Sequence, residues 1–66
     1  MNKFVKIIEQ QRKAQEFSYA ELARRSGVNA RTLNGWAHGV VKPNIEDVEK
    51  ALKGLGLELR VCFGEV

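Results

Sequence analysis

Sixty-six residues with a single cysteine, Cys62, make one domain near the lower limit for folding unaided, and exclude an internal disulfide framework or a multi-cysteine metal site. A lone thiol suits a reducing, cytoplasmic setting, no apolar run approaches the roughly 20 residues of a membrane span, and the N-terminus lacks a signal-peptide core. The net charge of +3 is unevenly placed: residues 1–45 hold eight Lys/Arg against three acids and residues 46–66 hold three against five, so the first two-thirds favours a polyanion, with a merely solvated basic surface as the plainer alternative.

Residues 2–16 read as a first helix, with Phe4, Val5, Ile7, Ile8, Gln11 and Ala14 on an apolar stripe and the charged residues largely elsewhere. A second helix begins at Ser18. There "SYAE" forms a capping box, in which Ser18 accepts from the amide of Glu21 while the Glu21 side chain reaches back to the amide of Ser18. Phe17 and Leu22 stand at the hydrophobic-staple positions around it, and Gly27 after Ser26 offers the left-handed residue that closes a helix. Only Val28 separates this glycine from Asn29, a good N-cap, so the second and third helices meet across a turn of about three residues.

The third helix contains a conflict. Asn34-Gly35 is a hairpin-turn dipeptide, yet Leu33, Trp36, Ala37 and Val40 stand at i, i+3, i+4 and i+7, which lines one helical face. A complementary stripe of Arg31, Asn34, Gly35 and His38 has the same spacing, and a hairpin would break both, so the helix prevails to about His38, with Gly39 as its stop. "VVKP" is a connector. Asn44 caps a fourth helix with Glu46 and Asp47 in its first turn; Ile45, Val48, Leu52 and Leu55 are its expected buried stripe, and Gly54 and Gly56 end it. In "LELRVCF" the period changes to two, with Leu57, Leu59, Val61 and Phe63 alternating with Glu58, Arg60 and Cys62. A strand without a partner in its own chain points to pairing with a second copy; a frayed tail or a fifth helix is the alternative.

Four short helices with a tight glycine turn between the second and third follow the helix-turn-helix plan. The stretch "SYAELARRSGVNARTLNGWAHGVVKPNIEDVEKALKGLGLEL" resembles the phage Cro/repressor type of helix-turn-helix domain, the XRE family, over roughly residues 3–56. Its most telling parts are "ELARRSGV", the Thr-Leu-x-x-Trp of "RTLNGW", and Gly39 followed by "KPN". The resemblance implies a mainly α, four-helix, lambda-repressor-like fold. Residues 1–56 would be the DNA-binding domain, with the motif at about 18–38, and residues 57–66 a C-terminal β-strand pairing across a homodimer, as in some Cro proteins and antitoxin repressors.

With Leu33 and Trp36 in the core, the opposite stripe of the third helix would enter the major groove. Arg31 suits guanine O6 and N7, Asn34 suits adenine N6 and N7, and the Ala30 methyl suits a thymine methyl. The family reads bases at matching positions, which carries these roles to Ala30, Arg31 and Asn34. Plainer roles are a phosphate or solvent contact for Arg31, a neutral surface residue for Asn34 and a good helix former for Ala30. Gly35 costs about 1 kcal/mol relative to alanine in a helix. Without a side chain it would let the helix approach the groove closely, where family members usually carry a longer contacting residue; a merely tolerated glycine is the alternative. Phosphate contacts are expected from Ser18, Tyr19 and Asn29 at helix N-termini, from His38, and from Lys42 in the following loop. Tyr19 stands where the family often has glutamine. Arg12, Lys13, Arg24 and Arg25 are weaker candidates.

One histidine and one distant cysteine leave metal or nucleophilic chemistry without partners, so no catalytic residue, metal or cofactor is expected. Cys62 is a bystander thiol by position. The reading that results is a homodimeric, sequence-specific repressor of an inverted-repeat operator in double-stranded DNA, paired through Leu57, Glu58, Leu59, Arg60, Val61 and Phe63. If the strands cross about Leu59, Glu58 faces Arg60 of the second copy. The regulated operon would be its own or one of a mobile element: phage, antitoxin or anti-CRISPR. The alternative is an antitoxin-type interaction module that neutralises a toxin protein and autoregulates.

Overall fold

The computed structural model describes residues 2–60, so Val61 and Phe63 of the expected strand lie outside the described residues. Helix α1 spans Lys3–Ala14, α2 Tyr19–Ser26, α3 Ala30–Ala37 and α4 Ile45–Gly54. Each begins on a side-chain cap that fills an otherwise orphaned amide. Asn2 Oδ1 accepts from the Phe4 amide at 2.7 Å, Ser18 Oγ from Glu21 at 3.0 Å, Asn29 Oδ1 from Arg31 at 2.7 Å and Asn44 Oδ1 from Asp47 at 2.9 Å. The capping box at α2 closes on one side only. The Glu21 carboxylate turns instead to Arg24 and to Arg25 Nε, the latter at 2.7 Å.

The ends of α1, α3 and α4 share one device. A left-handed residue follows the cap, and the next amide folds back to a carbonyl five residues earlier. After α3 that residue is Gly39, with Val40 N–H on the Gly35 carbonyl at 2.8 Å; after α4 it is Gly56, with Leu57 N–H on Leu52 at 2.8 Å. After α1 it is not glycine. Glu16 takes φ 58°, and Phe17 N–H donates to the Arg12 carbonyl at 2.9 Å.

The core draws on every helix: Val5 and Ile8 from α1, Leu22 from α2, Val28 from the turn, Leu33 and Trp36 from α3, and Val48, Ala51 and Leu52 from α4, with Leu55 at its cap. Gly54 lies inside α4 at the crossing with α2, where an added Cβ would stand 2.9 Å from Ser26 Cβ and 3.1 Å from its Cα. Gln15 Nε2 donates to the Leu55 carbonyl at 2.9 Å and ties the end of α1 to the end of α4.

Several residues expected inside lie outside. Val40 is 80% exposed because Gly39 breaks the helix one residue before the stripe reaches it. Ile45 is 62% exposed at the first position of α4, ahead of the turn that meets the other helices. Ile7 is 41% exposed and Ala14 is exposed too, since Val5 and Ile8 already define the inward face of α1.

Residues 57–60 do not form the expected strand. Leu57 and Leu59 are half-buried against the chain's own core, and Arg60 Nη2 pairs with Glu58 Oε2 of the same chain at 3.2 Å. Turning back through Gly56 places these leucines over apolar surface that the four helices leave open, which satisfies them locally.

Candidate nucleic-acid interface

The unit formed by α2, its turn and α3 is rigid for local reasons. Gly27 at φ 80° closes α2 through its amide to the Ala23 carbonyl, Ser26 Oγ accepts from the Val28 amide at 3.1 Å, and the Val28 side chain is 4% exposed in the core. Leu33 and Trp36 anchor α3 from beneath, which turns Arg31 and Asn34 outward, both exposed, with Ala30 half-buried beside them. Among the described residues the ion pairs hold Arg12, Arg24, Arg25 and Arg60, and Arg31 stands outside them.

Ala30, Arg31, Asn34 and Gly35 line one open depression, together with Tyr19, Val40 and Val41. Gly35 has a role within the chain as well. It is buried, and an added Cβ would stand 2.6 Å from Val41 Cγ2 and 3.1 Å from Val41 Cβ. The absent side chain makes room for the chain's own loop, so an alanine here would press on Val41.

Ser18 is exposed, its oxygen already accepting the α2 cap bond. Asn29 is exposed and likewise engaged as a cap. His38 is exposed at the end of α3, its Nδ1 at 2.9 Å from the Asn34 carbonyl. Lys42 is exposed on the rim of a separate cleft shared with Trp36, His38 and Pro43. The Tyr19 hydroxyl is spent internally, donating to Glu9 Oε1 at 2.8 Å, with the Arg12 guanidinium 4.1 Å over its ring.

A model of the helix-turn-helix family matches residues 8–61. The chain belongs to the XRE-type helix-turn-helix family. Comparison with the curated proteins and with the solved structures gave no match. As a helix-turn-helix protein it is a DNA-binding transcription regulator, with α3 in the place of the recognition helix. No helix among its described residues is long and apolar enough to cross a membrane.

The cluster that sets α2 of this helix-turn-helix protein against α1 escaped the sequence reading. Arg12 donates to Glu9 from Nε at 3.2 Å and Nη2 at 3.1 Å, and from Nη1 to the Phe17 carbonyl at 2.8 Å. Burial alone would raise the Glu9 pKa, but the hydrogen bonds from Arg12 and Tyr19 outweigh it and hold the carboxyl below its ordinary value. Burial and the Glu9 carboxylate push the Tyr19 hydroxyl up, which keeps it a donor. Arg12 is thereby a structural cation, not a free phosphate ligand. The spacing of Glu9 and Arg12 at i, i+3 was the available signal; Tyr19, ten residues on, had none. Arg25 is similarly occupied, its guanidinium 4.3 Å over the Phe17 ring. Val40 and Val41 were also missed as surface residues, because the helical stripe had claimed Val40 for the core.

Proposed function

We propose that the protein is a homodimeric, sequence-specific transcriptional repressor that acts in the cytoplasm on an operator of two inverted half-sites. One observation carries the reading: Arg31 and Asn34 stand side by side on the outward face of α3, exposed and outside the ion pairs that occupy the neighbouring arginines. Their donor and acceptor sets match the major-groove edges of guanine and adenine. Phosphates are met by backbone amides at the starts of α2 and α3 and by Lys42, while Ala30, Arg31 and Asn34 read bases.

A domain this small makes few contacts, so a second copy is needed to double them, with recognition helices in successive major grooves about 34 Å apart. Repression follows from covering promoter DNA, and the chain's own operon, phage, antitoxin or anti-CRISPR in kind, is the first target to try. Selection of the full chain on a randomised duplex library tests the reading and should enrich an inverted repeat. Arg31→Ala should then relax preference at one base pair of each half-site. Lys42→Ala should weaken all sequences alike and reduce the salt slope of binding by about 1 per protomer. An unenriched library overturns the proposal, and a uniform loss with Arg31→Ala moves that residue to the phosphates.

A further inference from the structure

The cleft whose rim carries Lys42 opens between the start of α1 and the loop after α3, with a volume of about 360 Å³. That is the small end of the range for small-molecule sites, roughly 300–1,000 Å³. Val5 and Trp36 from the core and half-buried Pro43 from the loop give it apolar walls. No residue lining it is acidic. Lys42 is exposed and stands outside the ion pairs of the described residues. Asn2 spends its Oδ1 on the Phe4 amide, which leaves its Nδ2 hydrogens as donors. His38 is held at the edge, its Nδ1 donating to the Asn34 carbonyl at 2.9 Å. An ammonium and an amide N–H beside apolar walls complement a molecule with a negative end and a hydrocarbon body. Burial of the body supplies affinity, and the lysine selects for charge. A DNA phosphate has no such body, so it meets Lys42 at the rim and leaves the cleft unfilled.

We propose that this cleft binds a small hydrophobic carboxylate, its charged end on Lys42 and Asn2 and its body against Val5, Trp36 and Pro43. The bound molecule takes Lys42 from the DNA backbone and so lowers affinity for the operator. The binding stands on the cleft alone, whereas the effect on DNA rests on Lys42 meeting a phosphate as proposed above.

The full chain is titrated without DNA, at constant ionic strength, with butyrate, cyclohexanecarboxylate and phenylacetate, and the emission of Trp36, the single tryptophan, is followed. At least one acid should give a saturable shift that the matching alcohol (butanol, cyclohexylmethanol or 2-phenylethanol) does not give. Lys42→Ala should weaken that binding roughly tenfold, the worth of one hydrogen bond to a charged group, with an unchanged melting temperature. Lys42→Arg should restore it. Saturating acid should then lower wild-type affinity for the enriched duplex to that of Lys42→Ala, whose own affinity the acid leaves unchanged. No saturable response to any of the three acids overturns the proposal, as does an equal response to the alcohols. Saturable binding that leaves DNA affinity as it was overturns the competition. A library that enriches no site, with the acid still bound, overturns the DNA reading and the competition with it, while the binding site stands.

Discussion

Two residues at helix ends show how the same backbone demand is met with and without glycine. Glu16 holds φ 58° to close α1, a conformation that crowds a Cβ against the backbone, while Gly56 does the same work after α4 without that crowding. Glu16→Gly should therefore raise unfolding free energy by about 1 kcal/mol, read from urea midpoints, with no change in DNA binding. Gly35→Ala should run the other way. Helix propensity favours alanine by about 1 kcal/mol, but displacing Val41 costs about 1–3 kcal/mol, so the net should be a loss of about 1 kcal/mol. In a Val41→Ala background, where the nearest atom is gone, that loss should shrink towards zero. A Gly35→Ala that stabilises the wild-type chain would overturn this reading, and weaker DNA binding by the same variant would support the close approach to the groove that the sequence suggested.

At the scale of elements, what was legible in the sequence was local. Asn2 aside, the caps at Ser18, Asn29 and Asn44 and the stops at Gly27, Gly39 and Gly56 are short-range chemistry, and the helices begin and end where those residues place them. The outward face of α3 was legible for the same reason, since burying Leu33 and Trp36 leaves Arg31 and Asn34 no other direction. What periodicity missed depends on how the chain folds back on itself. Val40 continues a helical stripe only if the helix continues, and the reason for Gly35 becomes visible only when Val41 is seen above it. The contact between α1 and the start of α2 belongs here too, and it has a pH signature. Glu9 has a folded pKa below its ordinary 4.5, so its stabilising effect is complete above that value and is lost as pH falls through the lowered pKa. Comparing wild type with Glu9→Gln, the stability gap should be open at pH 6 and narrow towards pH 3 in urea titrations. A gap that stays constant across that range would mean that the Glu9 charge does not matter to folding.

At the scale of the whole molecule, the tail has one task in its own chain and, in the dimer proposed above, a second. Leu57 and Leu59 help to cover the core of their own chain, so removing everything after Gly56 would unsettle the monomer and confuse any measure of assembly. A truncation after Arg60 separates the two roles. It keeps both leucines and removes Val61 and Phe63, so the melting temperature should hold while sedimentation shifts from dimer to monomer and affinity for the inverted repeat falls by at least tenfold. An unchanged dimer mass would place the partner contact elsewhere on the chain.

One carbonyl, that of Gly35, fastens the segment beyond the recognition helix by accepting two main-chain amides. Because main-chain atoms do the fastening, the side chain at position 40 is released from any duty to the fold. Exchanging it, along with those at 31 and 34, alters the outward chemistry of the domain and leaves its architecture standing. On the function proposed above, the molecule is thereby a scaffold that selection can retarget, one exposed side chain at a time, to new operators.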